Sequence, residues 1–253
     1  MISDGKSAAL ALAALLAAAW VLRPAGPTIR SPAEPAAPAV SAALLGGCRA
    51  LVADGLWLEA YRAWARRDAA ATTALIRLTT DVDDRPLYFW VNGARMLAYD
   101  LAQWRLEAAA AGGPVPAAVR ARIATEQADL GLAYLAEARR RHPQSADLCI
   151  EIANIHLNLR ADPAAAARWY REAAGLPGAP YYAARIHAEL LRRLGRPADA
   201  YVWLCGVHAS LPSGDAAAMP ALVLARIRRL EAELAIAPGR RYVPPPDSRR
   251  PRP

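Results

Sequence analysis

The chain has 253 residues, room for one or two domains, and 55% of them are apolar, although much of that fraction is alanine and Phe89 is the only phenylalanine. The formal charge is +8, yet half of it sits in the last stretch, where Arg240, Arg241, Arg249, Arg250 and Arg252 face Asp247 alone, so the body is only mildly basic and a nucleic-acid partner is not expected. Cys48, Cys149 and Cys205 are odd in number and far apart, which does not indicate a disulfide framework.

No stretch shows β-branched alternation bounded by turn residues, and alanine is the best helix former, so the expected class is all-α. The first element is an uncharged apolar run from Ser7 to Leu22, flanked by Lys6 and Arg23. At about 16 residues it is short against the roughly 20 of a spanning helix, but Trp20 suits a membrane interface and Arg23 can snorkel. Residues 1–23 therefore read as an N-terminal membrane anchor; a cleaved signal peptide competes, since Ala17 and Ala19 suit a small-residue cleavage site. Pro24, Pro27, Pro32, Pro35 and Pro38 then make residues 24–43 an extended spacer. Leu45-Gly46-Gly47-Cys48 matches a lipid-attachment box, but the spacer separates it from the apolar run; the plainer reading is Cys48 as a small packed residue opening the first helix.

From residue 44 to residue 237 the pattern is of helical hairpins. Pro143, Pro177 and Pro212 each close an apolar helical stretch, at intervals of 34 and 35 residues. Leu56 to Asp84 reads as one hairpin. Leu87 to Pro143 reads as a second, longer than a standard unit, with an extended hairpin over about residues 100–130 broken at Gly112-Gly113-Pro114. Ala146 to Pro177 forms the third, with Asp162-Pro163 as cap and first-turn proline of its second helix. Tyr181 to Pro212 is the fourth, and Ala221 to Ala235 reads as a solubilising cap helix. Residues 238–253, rich in proline and arginine, read as a disordered tail.

In the Tyr181–Pro212 unit, Ala188 in the first helix, Gly195 in the turn, Ala200 and Leu204 in the second helix and the terminal Pro212 stand at the spacings of a tetratricopeptide repeat (TPR), which this segment resembles. It departs from that pattern at the first-helix aromatic, where Ala184 stands. Residues 44 to 104, including LLGGCRALVADGLWLEAYRAW and DDRPLYFWVNGARMLAYD, are similar to membrane-anchored bacterial TPR proteins of unassigned activity. The resemblance implies an α-solenoid of TPR-like hairpins whose first helices line a concave groove. With Ala60, Ala94, Ala153 and Ala188 as the small residue of each first helix, the groove-facing set is Trp57, Tyr61 and Trp64; Arg95 and Tyr99; Ile150, Asn154 and Asn158; and Arg185, Glu189 and Arg192. Arginine and asparagine there would bond the backbone or a carboxylate of an extended peptide, and the aromatics would anchor an apolar side chain. The aromatics at helical spacing equally suit a core, and the asparagines a solvated face.

The expected function is a non-catalytic, membrane-anchored scaffold for protein partners. The repeat domain would be periplasmic, at a bacterial inner membrane, in a cell-envelope assembly such as a secretion, pilus or polysaccharide-export machine. No cofactor, metal or small-molecule substrate is expected: the chain has no phosphate-cradling glycine loop, no Gly-x-Ser-x-Gly turn and no His-Glu-x-x-His helix, and Glu126, Asp129, Glu137 and Glu151 read as solvated face residues. Arg139-Arg140-Arg141 ends a helix, where cations favour the dipole. Two alternatives stand beside this. Cys205 with His208 and Cys149 with His156, one and two helical turns apart, would serve a metal-binding enzyme. A soluble regulatory TPR binder would dispense with the first 40 or so residues.

Overall fold

The computed structural model describes residues 37–212 and 215–245, with side chains from residue 48 onward. The apolar run over residues 7–22 lies outside them; within them no helix is long and apolar enough to cross a membrane. By backbone proximity the chain divides into Met1–Leu45 and Gly46–Pro253, and the second unit is the body described below.

All regular structure among the described residues is helical. Helix α1 spans Ala37–Ala65 and α2 Ala69–Val82. A long interrupted helix follows: α3 (Leu87–Arg95), a π-helical turn (Met96–Asp100) and α4 (Leu101–Ala110). The rest are α5 (Ala117–Arg141), α6 (Ala146–Asn158), α7 (Pro163–Ala174), α8 (Tyr181–Arg193), α9 (Pro197–Ser210) and α10 (Pro220–Glu233), with 3-10 turns at Ala216–Ala218 and Pro238–Arg240. The expected long second hairpin is present, its arms joined through Gly112-Gly113-Pro114.

Local chemistry sets the ends. Asp68, Ser145 and Asp162 each cap a helix by accepting a hydrogen bond from a first-turn amide, and Pro163, Pro197 and Pro220 occupy first turns, where the missing N–H costs nothing. At three C-termini the same closure recurs: Asp68 N–H bonds Ala63 O, Arg196 N–H bonds Leu191 O, and Ile236 N–H bonds Glu231 O, each reaching back five residues. The residue inside each closure has positive φ, at Arg67 (57°), Gly195 (73°) and Ala235 (50°).

Helices pack on their sequence neighbours from α5 through α10, and α3 also touches α6, so first helices of adjoining hairpins meet. The core is correspondingly a series of three clusters. The first draws on α1, α2, α3, the π-turn, α5 and α6, the second on α6, α7 and α8, and the third on α8, α9 and α10. This is a repeat-like, all-α architecture. Glycine permits the closest crossings: a Cβ on Gly131 would lie 2.8 Å from the Ala98 Cβ, and one on Gly93 2.8 Å from Ile76 Cγ2.

Several expectations are corrected here. Helix α1 begins at Ala37, inside the segment read as an extended spacer over 24–43; Pro38 is tolerated in a first turn and the AVSAALL that follows is strongly helix-forming. Cys48 is exposed within α1 and does not open it. The tail read as disordered from residue 238 is ordered to residue 245, and residues 246–253 lie outside the described ones. Tyr242 ties that strap down. Its N–H donates to the buried Glu231 carboxylate (2.7 Å), its carbonyl accepts from Arg228 (2.9 Å), and its ring meets His208 edge-on with the hydroxyl 3.1 Å from Nδ1. The triple arginine of α5 does more than favour a dipole. Arg139 pairs with Glu172 of α7 and lies over the Trp169 ring, and Arg141 pairs with Asp84.

Candidate functional site

Helix α6 carries the sequence LCIEIANIHLN, in which one acidic residue interrupts an apolar run. That residue, Glu151, is 2% exposed, so its reading as a solvated face residue is wrong. Ile150 and Ile152 on either side are buried too, and α3 and α7 cover the helix on two sides, leaving Glu151 no route to bulk solvent. Its partner comes from the next first helix: Arg95 Nε donates to Glu151 Oε2 at 2.9 Å. A buried carboxylate with a hydrogen-bonded guanidinium is a compensated charge, and the Arg95 side chain, 53% exposed, keeps its other N–H groups toward solvent.

Polar groups gather around this pair. Tyr99, one turn beyond Arg95 in the π-helical segment, has a buried hydroxyl with no hydrogen-bond partner among the described residues, and the Asn158 amide lies close by. Burial pushes the Tyr99 phenol up to about 12, so it stays a donor at neutral pH. Asn154 Oδ1 accepts from the Tyr170 hydroxyl at 2.6 Å, and burial likewise pushes Tyr170 up to about 12. Tyr182, opening α8, is within electrostatic reach of Arg95 and Glu151, and burial raises its phenol as well. Side chains from three first helices (α3 with its π-turn, α6 and α8) thus lie within electrostatic reach of one another. This patch offers donors from Asn158, Tyr182 and the free face of Arg95, over a floor that holds Glu151, Tyr170 and the buried Tyr99 hydroxyl. The π-turn matters to that geometry, because a wider turn re-aims the side chains that follow, and such turns recur at functional positions.

Of the residues expected in a groove, Arg95, Tyr99, Asn154 and Asn158 meet here. The others do not. Trp57 is 5% exposed and packs in the first core cluster against Phe89, with centroids 5.2 Å apart, edge-on to Tyr61 and Tyr88; its competing core reading is the one the structure has. Tyr61 is on the rim of that aromatic group, its hydroxyl 2.9 Å from that of Tyr88, which together with burial raises its phenol. Trp64 donates to Asp100 at 2.8 Å. Ile150 is buried in the second core cluster. Arg185 donates to Ala218 O at 3.3 Å, a tie to the turn before α10. Glu189 accepts from Arg192 and Arg193 on its own helix, and the Arg192 hydrogen bonds hold its carboxyl down at about 2.

Sequence pattern alone does not mark Glu151, Tyr170 or Tyr182 as residues of this patch. The signal for Glu151 was its position between two isoleucines; nothing in the sequence marks the π-turn that places Tyr99.

The Cys and His pairs expected to suit a metal are not brought together: His156 has a buried Nδ1 with no hydrogen-bond partner among the described residues, and the others are engaged separately. Cys149 lies against Arg139 and Glu172, Cys205 against Tyr201, and His208 against Tyr242. Among the described residues no three His, Cys, Asp or Glu side chains gather as a metal site. His187 is buried, with Nδ1 2.8 Å from Ala167 O and its ring edge-on to Trp203; burial depresses its pKa, and the carbonyl requires the Nδ1–H tautomer.

No family model matches the chain, and no curated protein matches it.

Proposed function

We infer that this chain is a non-catalytic scaffold, anchored by residues 7–22 in a bacterial inner membrane, whose TPR-like hairpins stack as an α-solenoid and hold a segment of a partner protein, in the periplasm, within a cell-envelope assembly. The observation that carries the reading is the Arg95–Glu151 bond between two first helices, with the Asn158 amide close to Tyr99 and Tyr182 of a third first helix within electrostatic reach of the pair. An extended peptide presents alternating carbonyls and N–H groups. Phenol and amide donors at successive helices meet the carbonyls, while the guanidinium takes a carboxylate bidentately. Side chains held by an ion pair and packing lose little freedom on binding, which favours affinity from few contacts.

The repeat-like packing of consecutive helices supports the solenoid, and the Pro143, Pro177 and Pro212 spacing supports its TPR character. The test is site-specific photo-crosslinking in cells. A photoreactive residue at Asn158 or Tyr182 should trap a discrete partner, and the same residue at Arg168, exposed on α7, should not. Equal trapping at all three positions, or none at the first two, overturns the groove. Asn158→Ala with Tyr182→Ala should abolish trapping at flanking positions while leaving the melting temperature unchanged.

A further inference from the structure

A second concavity lies further along the chain, between α8, α9 and α10. It has a volume of about 340 Å³ and is lined by Arg192 and Arg193 from α8 and Arg226 and Arg229 from α10, with Glu189 at the side and Ala188, Leu204 and Leu230 as apolar floor. Four guanidinium groups line the cleft against one carboxylate, whereas Arg95 faces Glu151, Arg139 Glu172 and Arg228 Glu231 one to one. Glu189 is already taken by Arg192 and Arg193, both on its own helix. Arg229 has no carboxylate partner among the described residues, and Arg226 reaches only a backbone oxygen, Arg185 O, at 3.4 Å. Arg185 and Arg226 also crowd one another, and burial together with that repulsion lowers the pKa of Arg185. Glu233 also lies within electrostatic reach of Arg192.

We propose that this cleft is an anion site for a phosphoryl group carried on a small organic body. Arginine forks approaching from two helices can surround the three peripheral oxygens of a phosphate monoester, which a single carboxylate cannot satisfy. The volume falls in the range of small-ligand sites and exceeds what an isolated phosphate fills, leaving the Ala188, Leu204 and Leu230 floor for the organic part. Binding would cross-link α8 to α10 and relieve like-charge repulsion, so it would stiffen the third core cluster. The site shares no residue with the patch around Glu151, and it stands whether or not that patch holds a peptide.

The experiment uses the full chain and the variant R226Q/R229Q. Both positions lie outside the core, so the variant should melt with the wild type. Calorimetric titration with glucose 6-phosphate, inorganic phosphate and succinate is run beside flotation with phosphatidic-acid and phosphatidylcholine vesicles, and only the difference between wild type and variant is read. Saturable binding of glucose 6-phosphate, weakened about tenfold or more in the variant, supports a soluble phosphate ester as ligand. Binding to phosphatidic-acid vesicles alone, lost in the variant, supports the same phosphoryl chemistry from a lipid headgroup. Tighter binding of succinate than of either phosphate overturns the assignment. So does wild-type affinity in the variant, or no saturable binding of any phosphate.

Discussion

Removing Arg95 isolates a carboxylate that has nowhere else to go. Glu151 is 2% exposed and Arg95 supplies the one hydrogen bond to its carboxylate found among the described side chains. Truncating one member of a fully buried pair costs about 3–5 kcal/mol. The Arg95 side chain is 53% exposed, so water can enter the vacated volume and part of the loss is recovered; about 2 kcal/mol is the expected cost of Arg95→Met, which keeps the stem. For a chain of this size that is a fall of about 4–8 °C in melting temperature. The double variant Arg95→Met with Glu151→Leu replaces the pair by apolar groups of similar volume and should return to within about 1 kcal/mol of wild type. The assay is urea denaturation followed by helical circular dichroism at pH 7, read as a double-mutant cycle. If Arg95→Met costs less than about 0.5 kcal/mol, or the double variant loses the sum of the two single losses, then the pair does not hold α3 to α6 and the floor of the candidate site is not fixed as argued.

Gly195 and Ala235 occupy the same position in two matching helix closures, and no neighbour would meet a Cβ at Gly195. Gly195→Ala should therefore lose, and Ala235→Gly gain, about 0.5–1 kcal/mol in denaturant titrations; equal signs for the two would deny the left-handed closure. Burial lowers the pKa of His156, His187 and His208. Between the ordinary histidine value of about 6.5 and these depressed values the unfolded chain binds more protons, so stability is full above pH 6.5 and falls as pH drops through that window. Melting curves from pH 7.5 to 5.5 should show the fall, shallower in His187→Asn, and a flat profile would count against the buried neutral imidazole. Tyr242→Ala should free the strap over 238–245, raising trypsin cleavage after Arg240 and Arg241 about tenfold for a loss of roughly 1.4 kcal/mol, while cleavage after Arg120 stays constant.

Elements whose signals are local were legible in the sequence. The proline terminators, the Asp162-Pro163 start and the Gly112-Gly113-Pro114 break act within a turn or two of themselves, and the hairpins from residue 56 to residue 210 lie where they point. The candidate site was half legible, since taking Ala94 and Ala153 as the small residues of their first helices, as the repeat resemblance implies, puts Arg95, Tyr99, Asn154 and Asn158 in the inward set. What failed depends on partners distant in sequence. Glu151 is buried because α3 brings an arginine 56 residues away, and Trp57 because Phe89 and Tyr88 close over it. Glu231 and Tyr242 hold a strap that composition marks as unpackable. Periodicity also assumes a uniform α-helix, and the π-turn at Met96–Asp100 shifts the register beyond Arg95.

The series of core clusters bears on how the chain is made. Leu148, Ile152 and Ile155 belong to the first cluster together with Trp57 and Leu97, so that cluster cannot close until α6 has cleared the ribosome exit. Before that point the nascent chain exposes its most aromatic surface to chaperones. After it, each later helix docks on one already in place. Translation pauses before α6 would prolong the vulnerable interval, and pauses after it would cost the nascent protein little.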